Sequence, residues 1–278
     1  MKTWQDVASL YQIYPRSFLD TNGDGIGDLN GITEKLDYLS WLGIDSIWIS
    51  PFFVSPLTDF GYDIANYRAI DPTFGQMEDF QALLKKAHDL DIKVMIDLVP
   101  CHTSDQHPWF QESRSSRDNP KRGYYIWRDG KDNSEPNNWR SLSGGSSWEF
   151  DEHTRQFCLH SFLKTQPDLN WDNPEVRAEM KNIVRFWFDM GVDGMRVDAI
   201  WGISKDPTLK TTLQILIFMA IQTITEHLST TTVKWDRIFR NICKNWRQSV
   251  MNMTTSKWCL NFIPTISWVI FISNTAKS

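Results

Sequence analysis

Short apolar runs alternate with stretches of helical periodicity between residues 8 and 200 of this chain. The runs rich in β-branched residues predict four strands, at Ser9–Tyr14, Asp45–Ser50, Lys93–Val99 and Gly194–Asp198. Between them, apolar residues recur three and four positions apart and predict helices, over residues 29–39, 77–87 and 174–188. This alternation predicts an α/β fold, in which a parallel sheet is covered by helices.

The number of strand–helix units and one long insertion narrow the choice of architecture. Four units with an insertion after the third correspond to the N-terminal half of a TIM (β/α)8 barrel. Doubly wound folds alternate in the same way, so periodicity alone leaves both open. The polar, Gly- and Trp-rich stretch from His102 to Gln166 is too long for an ordinary loop and predicts a small subdomain. The predicted units are barrel strands one to three (residues 1–101), the inserted subdomain (102–166), the region of strand four (167–206) and an aberrant tail (207–278).

Composition and charge restrict the partners and the compartment. The net charge of −5 provides no basic surface for a phosphate backbone, so we expect no nucleic acid partner. The four cysteines lack metal or disulfide spacing and the N-terminus lacks a secretory signal, which favours the cytoplasm. The longest apolar stretch, Leu260–Ile272, is shorter than the roughly 20 residues that span a bilayer, so we expect no membrane segment. We expect the intact form to be monomeric.

The ends of the third and fourth predicted strands carry the candidate chemistry. The carboxyl ends of barrel strands face one shared mouth, so Asp97 and His102 should converge with Arg196 and Asp198. An Arg two positions before an Asp lies on the same face of a strand and can keep that carboxylate ionised, as a nucleophile requires. A purely structural Arg–Asp pair is the alternative.

A Gly-rich stretch between the first strand and the first helix is a candidate metal site. Oxygen-bearing side chains occupy alternate positions, at Asp20, Asn22, Asp24 and Asp28. Hard cations with many oxygen ligands, above all Ca²⁺, bind such loops. A turn rich in Asp and Asn without a metal is the alternative.

Several segments in order resemble the signature regions of the α-amylase family of glycoside hydrolases. They are Tyr11–Arg16 (YQIYPR), Asp97–His102 (DLVPCH), Gln166–Asn170 (QPDLN) and Gly194–Asp198 (GMRVD). The QPDLN form resembles the oligo-1,6-glucosidase and α-glucosidase branch. The likeness covers residue 4 to about residue 206, and it implies a barrel that acts on oligosaccharides.

The resemblance also implies roles for single residues. Asp198 is then the catalytic nucleophile, Arg196 its partner, and His102 a donor to hydroxyls of the cleaved sugar. Tyr62 would stack on that sugar, and Asp59 would bind its non-reducing end, which makes such enzymes exo-acting.

The resemblance further implies that Asp97 supports the site as a structural acid. The oxygen-rich loop would hold Ca²⁺ or Mg²⁺, with the Ile26 carbonyl as an additional ligand. Three positions depart from the family pattern. Asn is common where this chain has Cys101 and Phe60, and an aromatic residue is frequent where it has Ser143. Ala199 favours maltose-type substrates weakly, since members that prefer α-1,6 bonds tend to carry Val there; the alternative is that Ala199 merely packs.

The second half of the expected catalytic machinery is missing from the chain. Retaining glycoside hydrolysis needs two carboxyl groups about 5–5.5 Å apart, a nucleophile and a general acid. In the family the acid Glu follows on strand five and a third Asp on strand seven. After Gly202 this chain has no glycine, and after Asp206 its only acids are Glu226 and Asp236.

The tail is interpretable as a novel partner-binding segment, a poorly folded segment or a sequence in the wrong reading frame. When the codons are read one reading frame over, the junctions Met219–Ala220 and Trp235–Asp236 must each encode Gly. The same shift permits the sequence FEFYP near Leu260, which resembles the family's fifth strand with its Glu. We therefore predict a frameshifted α-glucosidase that is inactive as written. The alternatives are a non-catalytic carbohydrate-binding or assembly protein, and a transglucosylase.

Overall fold

The computed structural model describes residues 7–131, 134–205 and 209, together with the backbone of residues 258–262 and 270–274. Its strands and α-helices in chain order are β1 (Leu10–Ile13), α1 (Leu29–Trp41), β2 (Ser46–Ile49), β3 (Phe53–Val54), β4 (Asn66–Ile70), α2 (Met77–Asp89), β5 (Lys93–Leu98), α3 (Pro108–Ser115), β6 (Trp127–Arg128), β7 (Trp148–Asp151), β8 (Gln156–Leu159), α4 (Pro174–Met190), β9 (Gly194–Val197), β10 (Trp258–Phe262) and β11 (Ile270–Asn274).

The four predicted strands form one parallel sheet in the order β1-β2-β5-β9. Each strand therefore pairs with the preceding strand of the barrel sequence. A doubly wound sheet instead reverses its order at a switch point, so this order confirms the half-barrel. The strands bury apolar side chains such as Ile47, Ile96 and Met195, each 1% exposed or less.

The predicted helices are confirmed, and local signals set their ends. Asp28 caps α1, because its side chain accepts a hydrogen bond from the Gly31 N–H. Asn173 caps α4 in the same way, at 2.9 Å from the backbone nitrogen of Glu175. Helix α4 ends at Met190, and the next residue, Gly191, adopts the left-handed conformation that glycine tolerates best.

A second, smaller sheet lies within residues 102–166. It is antiparallel, in the order β6-β8-β7, and has its own cluster of buried side chains, namely Ile126, Trp139, Trp148 and Leu159. Trp139 and Trp148 pack in this core, and Trp187 packs in the main core. These three tryptophans are therefore structural.

Two segments of the predicted aberrant tail add strands to the main sheet beside β9. Residues Ile270–Ser273 of β11 pair antiparallel with β9, and β10 pairs with β11. An edge strand presents unpaired N–H and C=O groups, which an extended β-branched segment can pair with. Glu226 and Asp236 lie outside the described residues. Within the described part, no helix combines the length and apolar character needed to cross a bilayer.

Candidate active site

Strands β5 and β9 bring two acids to one arginine at their carboxyl ends. Asp97 and Arg196 are partners in the parallel pairing, so their side chains leave the same face. Arg196 Nη1 lies 2.8 Å from Asp97 Oδ1 and 2.6 Å from Asp198 Oδ1. The Asp97 side chain is fully buried, whereas that of Asp198 is 19% exposed. Asp198 is therefore the carboxylate of this pair that a ligand can reach.

Trp48 completes this corner and was missed by the sequence analysis. Its indole Nε1 donates to Asp97 Oδ2 at 2.9 Å, and the Arg196 guanidinium lies 4.8 Å from its ring centroid. Burial raises the pKa of Asp97 to about 7, although Arg196 acts to lower it. Burial disfavours the charge on Arg196, but Asp97 and then Asp198 raise its pKa overall. Arg196 thus stays cationic beside Asp198.

A buried glutamine links two of the predicted sugar-binding residues. Gln166 Nε2 donates to Asp59 Oδ2 at 2.8 Å and lies 3.1 Å from His102 Nε2. The Leu163 N–H donates to Gln166 Oε1, which fixes the orientation of the amide. The signature QPDLN contains Gln166, yet the sequence analysis gave this residue no role. Its two partners lie 107 and 64 residues away in sequence, which no local pattern indicates.

His102 is held in a neutral form with one free ring nitrogen. Burial lowers the pKa of its imidazole. Its Nε2 lies 3.2 Å from the Tyr62 carbonyl oxygen, while its Nδ1 is buried without a hydrogen-bond partner. The Tyr62 hydroxyl lies 3.4 Å from Asp97 Oδ2 and from Arg196 Nη1. Burial also raises the pKa of Tyr62, so its hydroxyl stays protonated at neutral pH.

The loop that carries Asp59 and Tyr62 is shaped by a buried acid. Asp63 Oδ1 accepts a hydrogen bond from the Asp59 N–H at 3.1 Å. Two residues of this loop, Leu57 and Phe60, have positive φ angles of 60° and 52°. Such conformations cost energy and persist where the surroundings impose them. The surroundings of this loop, Asp63 included, therefore impose its conformation.

A lysine cation lies behind His102, next to a third buried acid. Lys205 Nζ is 2.7 Å from Asp168 Oδ2 and also contacts the Gly202 carbonyl. Ligand atoms of Cys101, His102 and Asp168 lie within 4.8 Å of one another. The ammonium group neutralises Asp168 here, and burial raises the pKa of the Cys101 thiol. Asp168 belongs to the QPDLN segment, but no local pattern indicates its pairing with Lys205.

The oxygen-rich loop closes mainly on its own backbone. Asp20 Oδ1 accepts from the Gly23 N–H at 2.7 Å, and Asp24 Oδ1 accepts from the Ile26 N–H at 2.8 Å. Asp28 Oδ2 accepts from Thr21, while its Oδ1 caps α1. Across the described residues, carboxylates of this loop do not form a group of three within 4.8 Å. The loop's donors are the hard oxygens that Ca²⁺ prefers.

Known proteins match this chain closely over most of its length. The family model of the α-amylase catalytic domain matches residues 12–258. An oligo-1,6-glucosidase of Parageobacillus thermoglucosidasius is 57% identical over 208 residues, which are 75% of this chain and 37% of that relative. A probable α-glucosidase of Rhizobium meliloti is 58% identical, over 72% of this chain and 36% of its own.

Solved structures agree with the sequence matches. The isomaltulose synthase of Erwinia rhapontici NX5 superposes with a TM-score of 0.76 at 54% identity, covering 78% of this chain and 39% of that one. The chain spans somewhat more than a third of the length of the curated relatives it matches. With the half-barrel, the Asp97–Arg196–Asp198 corner and these matches together, the chain belongs to the α-amylase family of glycoside hydrolases.

Proposed function

We propose that this chain descends from a retaining, exo-acting α-glucosidase that hydrolyses oligosaccharides of the maltose or isomaltose type. The observation that carries the proposal is the arginine shared by a buried acid and a reachable acid. Arg196 Nη1 lies 2.6 Å from Asp198 Oδ1, and a carboxylate is the nucleophile that retaining glycosidases use. The Tyr62 hydroxyl lies 3.4 Å from Arg196 Nη1, and Gln166 joins His102 to Asp59. Tyr62, His102 and Asp59 carry polar groups that suit sugar hydroxyls.

In the ancestral reaction Asp198 attacks the anomeric carbon and forms a glycosyl ester, while an acid protonates the leaving oxygen. Two nearby acids are unsuited to the second task. Asp97 is fully buried against Arg196 and Trp48, and Asp59 accepts from Gln166. We therefore propose that the chain as written binds sugar but does not hydrolyse it.

A hydrolysis assay with maltose and isomaltose tests both parts. We expect glucose to bind the chain, binding to weaken in His102→Ala, and no glucose to be released from either disaccharide. Release that disappears in Asp198→Asn would refute the predicted inactivity while supporting Asp198 as nucleophile. An exposed substitution, Glu152→Gln, is the control for general damage.

A second candidate is a transglucosylase, which the likeness to isomaltulose synthase and to trehalulose synthase favours. The two activities differ in whether water or a second sugar takes the glycosyl group from Asp198. Product analysis on a form with the restored reading frame separates them. Free glucose as the main product supports hydrolysis, and new disaccharides support transfer.

We also propose that residues after about 209 are read in a shifted frame. The forced Gly codons and the permitted FEFYP string support this interpretation. Resequencing the DNA across the codons for Lys205 to Thr212 tests it. One added or missing base would restore the family's continuation, whereas an unchanged sequence would leave a tail of another origin.

For the oxygen-rich loop we propose a structural Ca²⁺ or Mg²⁺ ion. Support comes from its alternating oxygens and from Asp20, whose pKa is lowered by N–H groups of Gly25 and Gly23. We expect calcium at about 100 times its Kd to stabilise the fold by about 2.7 kcal/mol relative to chelator. Loss of this gain in Asp24→Ala is expected; an equal gain in both proteins would place the ion elsewhere.

A cytoplasmic monomer stays a prediction. The buried cysteines Cys101 and Cys158 are both free thiols, which suits a reducing compartment.

A further inference from the structure

The oxygen-rich loop contains two residue pairs that are prone to spontaneous modification. An asparagine and an aspartate are each followed by glycine, at Asn22–Gly23 and Asp24–Gly25. In such pairs the glycine backbone nitrogen attacks Cγ of the preceding side chain and closes a succinimide ring, because glycine has no Cβ to hinder the approach. We propose that Asn22 and Asp24 are modification sites of this kind, and that the Asp20 carboxylate protects both by holding the two attacking nitrogens.

The reaction at Asn22 needs no reactant other than water. A bond forms between the Gly23 nitrogen and Asn22 Cγ, the Cγ–Nδ2 bond breaks, and the amide proton leaves with the amine as ammonia. Water then opens the ring at either carbonyl, which gives aspartate or isoaspartate. At Asp24 the leaving group is water, so ring opening gives back aspartate or yields isoaspartate. Isoaspartate carries the main chain through the side-chain carbon and so distorts the turn.

The conformation of the loop explains why glycine follows these two residues. Gly23 and Gly25 have φ angles of 82° and 87°, in the left-handed region that glycine adopts most readily. A Cβ atom at either position would meet nothing within 4 Å, so the dihedral angle and not crowding selects glycine. Residues 21–25 are exposed, and water therefore reaches them. The turn thus requires the residue type that makes Asn22 and Asp24 reactive, and burial gives them no protection.

One carboxylate holds both attacking nitrogens. The Gly23 N–H donates to Asp20 Oδ1 at 2.7 Å, and the Gly25 N–H donates to Asp20 Oδ2 at 2.9 Å. Attack requires each nitrogen to lose this proton and to turn toward Cγ. The negative charge of Asp20 opposes the loss of the proton, because it would create a second negative charge beside the first. Hydrogen bonds to an ionised acceptor are also stronger than those between neutral groups.

The side chains under attack are held by other partners. Asn22 Oδ1 accepts from the Asp24 N–H at 2.9 Å, and Asp24 Oδ1 accepts from the Ile26 N–H at 2.8 Å. Each side chain thus bonds to a backbone group two residues ahead, whereas each glycine nitrogen bonds back to Asp20. Both reacting atoms must leave their hydrogen bonds before a ring closes.

A third pair in the same segment has a different protecting acid. Asn30–Gly31 lies in the first turn of α1, and the Gly31 N–H donates to Asp28 Oδ1 at 2.7 Å. Asp28 also accepts from the Thr21 N–H, so it anchors the loop without holding the nitrogens of Gly23 and Gly25. Substitutions of Asp20 and Asp28 therefore separate direct protection from general loosening of the loop.

Peptide mapping of the full chain after incubation in mildly alkaline buffer with chelator tests the proposal. Asp20→Ala should raise the rates of deamidation at Asn22 and isoaspartate formation at Asp24 by about tenfold or more, because a hydrogen bond to a charged group no longer has to be broken. Asp20→Asn keeps a neutral acceptor and should give intermediate rates. Asp28→Ala should accelerate deamidation at Asn30 and leave Asn22 within about twofold of the unchanged protein.

Two results would overturn the proposal. One is an equal rate at Asn22 in the unchanged protein and in Asp20→Ala. The other is equal acceleration at Asn22 in both alanine variants, which would mean that loosening of the loop suffices. Isoaspartate formation at Asp129–Gly130, outside the loop, should be the same in every protein and reports general damage.

Amide hydrogen exchange provides a measurement that does not depend on the slow chemistry. In Asp20→Ala the amides of Gly23 and Gly25 should lose protection, while those of β5 keep theirs. Unchanged protection of Gly23 and Gly25 would show that Asp20 does not hold these nitrogens, and it would overturn the proposal as well.

Discussion

The strand-end corner and the oxygen-rich loop are both sets of acids predicted from short motifs, yet they are held in opposite ways. At the corner, Asp97 is held by Trp48 and Arg196, which lie 49 and 99 residues away. In the loop, the acids accept hydrogen bonds from backbone groups two to seven residues away.

The two regions also differ in what they leave open. The corner contains a buried polar atom without a partner, Arg196 Nε, and the nearby His102 Nδ1 is unpaired as well. The oxygen-rich loop is exposed, and its N–H groups already donate hydrogen bonds to its own acids. Hydrogen bonds between distant residues thus leave unpaired polar groups in a buried site, whereas hydrogen bonds between close neighbours mainly stabilise a turn.

Removal of the shared arginine should have the largest effect. Arg196→Met leaves Asp97 buried without its cation, and we expect a loss of about 3–5 kcal/mol in the free energy of unfolding at pH 8. The loss should shrink at pH 5, where Asp97 can take up a proton. Urea denaturation measures it. Arg155→Met, which breaks an exposed pair with Glu152, should cost about 0–1 kcal/mol. Equal losses in the two variants would show that the buried corner contributes no more to stability than an exposed ion pair.

The pH dependence of stability should report on Asp97 directly. Its folded pKa of about 7 lies above the ordinary value of 3.8, so the folded state binds this proton more tightly. Its contribution to stability is therefore greatest below about pH 4 and is lost as the pH rises through about 7. We expect Asp97→Asn to gain stability relative to the unchanged protein over this window. A pH-independent difference would show that Asp97 is ionised throughout.

Loss of the glutamine bridge should have an intermediate effect. Gln166→Leu removes the donor to Asp59 and leaves the Leu163 N–H unpaired, for an expected cost of about 1–3 kcal/mol. Glucose affinity should fall as well, because His102 and Asp59 lose their common support. Gln111→Leu, at an exposed glutamine on α3, is the matched control. Unchanged glucose affinity in Gln166→Leu would mean that the bridge does not position these residues.

Substitutions in the oxygen-rich loop should change stability least, and the size of the change should differ between its acids. Asp28→Ala removes the N-cap of α1 and should cost about 1 kcal/mol. Asp24→Ala removes two exposed contacts, from the Ile26 N–H and from the Asn22 side-chain amide, and should cost less than about 0.5 kcal/mol without calcium. Thermal melts in chelator measure both. A larger cost for Asp24 would show that the loop supports the fold beyond its cap.

Strand and helix positions followed from the sequence, because burial of one face imposes a period of two or 3.6 residues on the chain. The Asn173 cap and the Pro174 start of α4 were likewise local. Convergence of Asp97 with Arg196 and Asp198 also followed, since the carboxyl ends of parallel strands share one mouth. The choice between barrel and doubly wound order did not follow, because strand order is a property of the assembled sheet.

The sequence by itself thus determined the elements, the family and the acids at the strand ends, all of which depend on neighbours within a few residues or on a known motif order. Only the tertiary structure decided that Gln166 joins His102 to Asp59, that Lys205 neutralises Asp168, and that β11 covers the edge of β9. These contacts join residues far apart in the chain. Their partners are chosen by burial and by the need to satisfy buried polar groups, which exist only once the chain has folded.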